Sequence, residues 1–156
     1  MVLIFSYGYN MCPRLDPSDI IVITPAFVPN YQLRFQKFLK IDNNPSRYGY
    51  ANAEVSEFDC LFGVLQDITP RGVAKLDFQE NCINSPEQNN TYDRKTVEVI
   101  GDNGITYRAI MYVMNPRRAL QYAKPSKRYK DHMLQSALLY KKIGYALEHI
   151  LSIMQA

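Results

Sequence analysis

Four short segments of this 156-residue chain hold residue types that could act together on a small molecule. The first, Phe5-Ser6-Tyr7-Gly8-Tyr9-Asn10-Met11, is a strand running into a glycine turn. The second, Leu76-Asp77-Phe78-Gln79-Glu80, closes a short helix on a carboxylate. The third is Tyr92, ahead of a strand around Val97 and Val99. The fourth, Pro125-Ser126-Lys127-Arg128-Tyr129, enters the last helix. A carboxylate within reach of a bound molecule can take up a proton and return it. Glycine lets the backbone approach a ligand closely, and tyrosine joins apolar area to a hydrogen-bonding tip. Singly, each segment has an ordinary reading. Tyr-Gly turns are common, a Glu at a helix end is usually solvated, and Pro-Ser before a helix is usually a cap. Only their order and spacing give them weight.

The elements that must position these segments can be read from local patterns. Val2 to Ser6 is β-branched and aromatic and ends at Tyr7-Gly8, as a strand feeding a tight turn does. Asn10 to Asp19, with two prolines, reads as loop with at most one helical turn. Ile20 to Thr24 reads as a strand that Pro25 breaks. Tyr31 to Leu39 alternates, with Tyr31, Leu33 and Phe35 on one face. Asp42 to Ser46 is turn chemistry, and Tyr50 to Val55 and Cys60 to Leu65 are two further strands. Thr69-Pro70 starts a helix, a capping hydroxyl followed by a proline that needs no N–H. That helix runs to about Glu80 with Val73 and Leu76 inward. Asn81 to Asn90 is a polar loop. Thr96 to Ile100 and Ile105 to Met114 flank Gly101-Asp102-Asn103-Gly104 as a hairpin. From Ser126 the chain turns helical, with Met133, Leu134, Ala137 and Leu138, then Ile143, Leu147, Ile150, Leu151 and Met154, at helical spacing. Gly144 weakens this long helix without breaking it. The order of elements points to one α+β domain over residues 1–156, with a mainly antiparallel or mixed sheet.

Composition narrows the function classes. The apolar fraction is 47% and the charged fraction 21%, as in ordinary globular proteins. A net charge of +3 is too mild to mark a nucleic-acid protein. Between Arg117 and Lys142 eight basic residues face one acid, Asp131. That stretch reads first as a solvated helical face, and more sharply as an attraction for an anionic substrate or phosphate. Cys12, Cys60 and Cys82 are widely spaced and odd in number, without CxxC, so zinc and disulfide frameworks fit poorly and a reducing compartment fits better. His132 and His149 add no close ligand spacing, so no metal is expected. The N-terminus lacks the pattern of a signal peptide. No stretch reaches the roughly 18 apolar residues of a membrane span.

In their order, the four segments resemble the gamma-glutamyl cyclotransferase family, gamma-glutamylamine cyclotransferases included. That family carries Tyr-Gly-(Ser or Thr)-Asn-Leu after its first strand, then Leu-Asp-x-x-Glu-Gly, a following Tyr, and Pro-Ser-x-x-Tyr near the end. The resemblance runs from Val2 to about Ala137. It implies a small β-barrel with surrounding helices. It also implies an intramolecular reaction, in which the α-amine of a gamma-glutamyl group attacks its own side-chain carbonyl and releases 5-oxoproline and a free amine. Glu80 matches the catalytic Glu, which takes a proton from the α-amine and hands it to the leaving amine. The backbone of Gly8, Tyr9 and Asn10, with Tyr7 before it, would hold the glutamyl group, and Tyr92 and Tyr129 would orient it. Such a Glu must titrate above its usual value of about 4.3, which partial burial beside Leu76 and Phe78 would achieve. No cofactor is implied. The expected protein is cytoplasmic, a monomer or homodimer, with a small gamma-glutamyl substrate and neither nucleic acid nor membrane as partner.

The match departs from the family in places. Tyr9 replaces a small Ser or Thr and either narrows the pocket or points outward. Asn81 replaces Gly, although Asn tolerates a left-handed backbone. The 81–90 loop is longer, and Ser136-Ala137 stands where many members have Gly-Ala. A further pocket Tyr of the family aligns best with Ile110, with Tyr112 two residues on. Asp77 reads as a local acceptor. Two rival functions remain open: a small-molecule-binding protein on the same fold without turnover, and an interaction protein using the basic stretch and the long C-terminal helix.

Overall fold

β1 (Val2–Ser6) is buried along both faces at its C-terminal half, and this sets it at the centre of the architecture. Successive side chains of a strand point to opposite faces. Phe5 therefore enters one apolar cluster with Val64, Leu65, Val99 and Met111, while Ile4 enters another with Ile68, Val73, Leu76 and Met114. The computed structural model describes residues 2–82, 89–140, 143–144 and 146–147.

The other strands are β2 (Ile20–Phe38), β3 (Tyr50–Ile68), β4 (Tyr92–Gly101), β5 (Thr106–Met114) and β6 (Ala119–Tyr122). β1 pairs antiparallel with β3 and parallel with β5, through Ile4 opposite Ile110. β5 pairs with β4, β4 with β2, and β2 with β3. The five strands therefore close into a mixed barrel, and β6 extends it beside the end of β2. This is the small barrel with flanking helices that the family resemblance implied.

Pro25 does not end the second strand. β2 runs through Pro25 and Pro29, because its register with β3 shifts between Val22 and Thr24 and again between Pro29 and Tyr31. Such bulges are where a strand tolerates proline. Likewise Tyr50–Val55 and Cys60–Leu65 belong to one strand, bent at Phe58, which has φ 73° and is 91% exposed. The expected hairpin is present, with β4 and β5 paired from Tyr92 opposite Met114 to Ile100 opposite Thr106.

α1 (Pro70–Gln79) starts where expected: the Thr69 side chain accepts from the Gly72 N–H at 3.1 Å. It buries Val73, Leu76 and Asp77. Asn81, at φ 51°, ends it in the left-handed region that Asn tolerates. α2 (Lys127–Leu138) is capped by Ser126, whose hydroxyl accepts from the Tyr129 N–H at 3.1 Å. Met133 and Ala137 are buried under the barrel cluster, but Leu138 is 54% exposed and faces away from the core expected of it. The single long helix is interrupted at Leu139 and Tyr140, and Ile143, Gly144 and Leu147 lie in helical backbone beyond that break. The expected helical residues Ile150, Leu151 and Met154 lie outside the described residues.

Candidate active site

Glu80 occupies the C-cap of α1. Its backbone carbonyl accepts from the Tyr92 N–H at 3.3 Å, which ties the helix end to the first residue of β4. Its carboxylate Oε1 accepts from the Asn10 side-chain amide at 2.6 Å. Asn10 stands in a single 3₁₀ turn, Tyr9–Met11, directly after β1 and Gly8. The strand end and the helix end, 70 residues apart, thus meet at one carboxylate.

Burial pushes the Glu80 carboxyl up to about 7, with the Asn10 bond partly opposing it. A carboxyl at that value holds and releases a proton near neutrality. Phe78 does not contribute to the burial, since its ring is 75% exposed. The shielding comes from the tyrosines instead. Tyr7, Tyr92 and Tyr129 line a small inner chamber of about 40 Å³ with Glu80. All three phenols are pushed up by burial and by the nearby Glu80 charge, so they remain protonated donors.

These three tyrosines differ in what they can still give. The Tyr7 hydroxyl donates to the Tyr112 carbonyl at 2.6 Å, and the Tyr92 hydroxyl donates to the Ala51 carbonyl at 2.8 Å. The Tyr129 hydroxyl instead accepts from the Ala51 N–H at 3.3 Å. Its own proton has no protein acceptor among the described residues. Its ring is fixed edge-on against Phe35 and Tyr50. Gly8 is required by packing: a Cβ there would lie 2.9 Å from the Ala51 Cβ.

The inner chamber opens into a cleft of about 940 Å³. Tyr9, Asn10, Glu80, Tyr92 and Tyr129 line both spaces. Phe38, Ile41 and Tyr50 give the outer part an apolar side, and Arg14, Lys40 and Arg128 bring charge to it. Lys40 is paired with Asp42 at 3.7 Å. Neither Arg14 nor Arg128 has a carboxylate partner among the described residues. The ring of Tyr9 stacks on His132 at 3.7 Å, and its hydroxyl accepts from Arg14 at 2.9 Å. Its bulk is therefore drawn toward α2 and the cleft wall.

Asp77, one turn before Glu80, accepts from the Tyr112 hydroxyl at 2.6 Å and from the Arg94 guanidinium. All its bonds are internal. Tyr112 borders the inner chamber, but its hydroxyl is committed to Asp77; Ile110 is half-buried opposite Ile4. The Cys82 thiol is pushed up to about 11, mainly by burial, which leaves it unreactive near neutrality. Of the basic stretch, Arg117, Lys124, Lys127 and Arg128 are exposed. Arg118 is buried and donates to the Leu39 and Lys40 carbonyls. Among the described residues no cluster of His, Cys, Asp or Glu could hold a metal ion, and no helix is long and apolar enough to cross a membrane.

Sequence reasoning missed Gln66, His132, Arg14, Phe38 and Tyr50. No local signal marks them: each reaches the site from an element whose pattern is explained by its own strand, loop or helix.

Comparison with known proteins bears on both fold and family. A solved structure described as a gamma-glutamyl cyclotransferase is 21% identical, over 94% of this chain and 86% of that one, with a TM-score of 0.76. An uncharacterised Homo sapiens protein is 22% identical over the same shares, with a TM-score of 0.75. A yeast gamma-glutamyl cyclotransferase specific to glutathione is 15% identical, over 87% of this chain and 77% of that one, with a TM-score of 0.52. At these identities the likeness is one of fold. The search of curated proteins gives no significant match. The AIG2-like family matches residues 60–141, a stretch running from the second half of β3 into α2 and carrying Glu80, Tyr92 and Tyr129. More than half of the sequence lies in that match, and the chain belongs to the AIG2-like family.

Proposed function

We propose that this protein is a cyclotransferase acting on a gamma-glutamyl compound, with Glu80 as its acid and base. One observation carries the reading: a half-buried carboxyl, pushed up to about 7, sits where a cleft meets an inner chamber lined by tyrosines. The α-amine attacks as the neutral NH2, and Glu80 takes one of its two protons as the new bond forms, leaving the single N–H of the lactam. A C–N bond forms to the side-chain carbonyl carbon, and negative charge develops on its oxygen. The free Tyr129 hydroxyl proton is a donor placed beside the chamber for that oxygen. Protonated Glu80 then returns its proton to the leaving nitrogen as the second C–N bond breaks. The products are 5-oxoproline and the amine, with no water consumed.

The outer cleft favours a leaving amine that combines an apolar body with a carboxylate, set against Phe38, Ile41 and Tyr50 and against Arg14 and Arg128. A non-catalytic binding role is less well supported. The bulk of Tyr9 and the altered 81–90 loop speak for it, but the Tyr9 ring is held against His132 and Glu80 still lines the open cleft. The test is 5-oxoproline release, followed by mass spectrometry across gamma-glutamyl compounds. The panel includes gamma-glutamyl-phenylalanine and its decarboxylated counterpart, gamma-glutamyl-phenethylamine. Release from the panel, faster with the carboxylate, is expected. No release from any member would leave the binding role as the better account.

A further inference from the structure

Four consecutive carbonyls in the turn after β1 are gathered by only two side chains. Gln66 Nε2 donates to the Asn10 and Met11 carbonyls at 2.9 and 3.3 Å. Gln66 is wholly buried, and its own oxygen accepts from the Ser6 hydroxyl at 2.6 Å. His132 Nε2 lies 3.0 Å from the Tyr9 carbonyl and 3.1 Å from the Cys12 carbonyl. Both oxygens are acceptors only, so that nitrogen must carry the proton. The same imidazole stacks on the Tyr9 ring with 15° between planes. Within the turn itself only two long backbone bonds operate, Met11 N–H to the Gly8 carbonyl at 3.2 Å and Cys12 N–H to the Tyr9 carbonyl at 3.4 Å. A single 3₁₀ turn has little stability of its own, so outside contacts must set its shape.

We propose that His132 is a positioning residue that clamps this turn from the α2 side and thereby holds the Asn10 amide on Glu80. Gln66 fixes the turn's middle from the barrel, and His132 fixes its two ends. The catalytic consequence rests on the cyclotransferase reading; the structural one does not. Glu80 is faced by Tyr7 from the end of β1, Tyr92 from β4 and Tyr129 from α2, all neutral near pH 7. Asn10 supplies the bond that favours its ionised form. Around His132 stand Lys127, Arg128 and Asp131, of which Lys127 and Asp131 pair at 2.6 Å, and Arg14 lies across the Tyr9 ring. Loosening the clamp should therefore weaken the Asn10 bond and leave burial less opposed.

The experiment is a pH titration of the Glu80 carboxyl by carbon-13 NMR in the full chain, for the parent, His132→Phe and His132→Gln. Phenylalanine keeps a ring against Tyr9 but has no N–H. Glutamine loses the ring but places an amide donor close to where Nε2 stands. In His132→Phe the midpoint should rise by about one pH unit, and in His132→Gln it should stay near the parent value. With a turned-over substrate, KM in the Phe variant should rise about tenfold while kcat at high pH, where Glu80 is ionised in every variant, changes little. Should the Phe variant fold poorly, His132→Asn, whose shorter amide cannot span both carbonyls, replaces it with the same expectations. An unshifted midpoint in the N–H-lacking or shortened variant overturns the proposal. So does a Gln variant that shifts as far, since lost packing would then explain the effect. A shifted midpoint in a protein that releases no 5-oxoproline keeps the clamp and sinks the cyclotransferase reading.

Discussion

The Asn10 side-chain amide donates to Glu80 Oε1 at 2.6 Å and joins the turn after β1 to the end of α1. This bond pulls the Glu80 carboxyl down, while burial pushes it up to about 7. Removing the bond leaves burial to act alone. Asn10→Ala should therefore move the ascending limb of the pH–rate profile to higher pH by about one unit. The check is kcat/KM measured from pH 5 to 9. A limb that stays in place, or moves to lower pH, would show that Asn10 does not set the ionisation.

Glu80 also sets a pH dependence of stability. In the folded chain it holds its proton to about pH 7, whereas unfolded it loses the proton near its ordinary value of about 4.3. Between those values the folded state binds more protons, so stability falls as pH rises. Glu80→Gln has no such proton to lose. Urea unfolding should find the variant and parent similar at pH 4. At pH 8 the variant should be the more stable, by on the order of 1–3 kcal/mol. Asp16, Asp19 and Asp42, all pulled below the usual range, are common to both proteins and cancel in the difference. A parent that gained on the variant between pH 5 and 8 would contradict the burial argument.

Asp77 stands close to Glu80 in sequence but does different work. It takes the Tyr112 hydroxyl and the Arg94 guanidinium, tying α1 to β5 and β4. Asp77→Asn should lower stability by about 1–3 kcal/mol, because a partly buried charge-assisted network loses its anion. Activity per folded molecule and the pH–rate midpoint should change little. Chemical unfolding and a pH–rate series on the same preparation separate the two effects.

Much of this arrangement is legible locally. The hairpin around Gly101-Asp102-Asn103-Gly104, the Thr69-Pro70 start of α1 and the Ser126 cap of α2 each depend on a few adjacent residues. The length of β2 and β3 is not legible in that way. Proline at positions 25 and 29 sits beside register shifts between β2 and β3, with an extra residue on β2 at the first and extra residues on β3 at the second, a relation between strands. Barrel closure is equally remote, since the parallel pairing of β1 with β5 joins Ile4 to Ile110. For the site, the order of the motifs pointed to Glu80 and to the turn from Tyr7 to Asn10. It could not show that Phe78 faces solvent, because a helix-end residue's direction depends on what packs beside it. Nor could it find His132 or Gln66, whose bonds to the turn span 123 and 56 residues.

The central claim is that Glu80 moves the proton. Glu80→Gln keeps the shape and can still meet Asn10, but it cannot shuttle a proton between two nitrogens. The direct measurement is 5-oxoproline release by parent and variant at pH 7, with substrate binding followed in parallel by calorimetry. General acid–base catalysis contributes about 10²–10⁴-fold, so turnover should fall by at least roughly 100-fold while binding is largely kept. Near-parent release by the variant would contradict the account and move the proton transfer to another group.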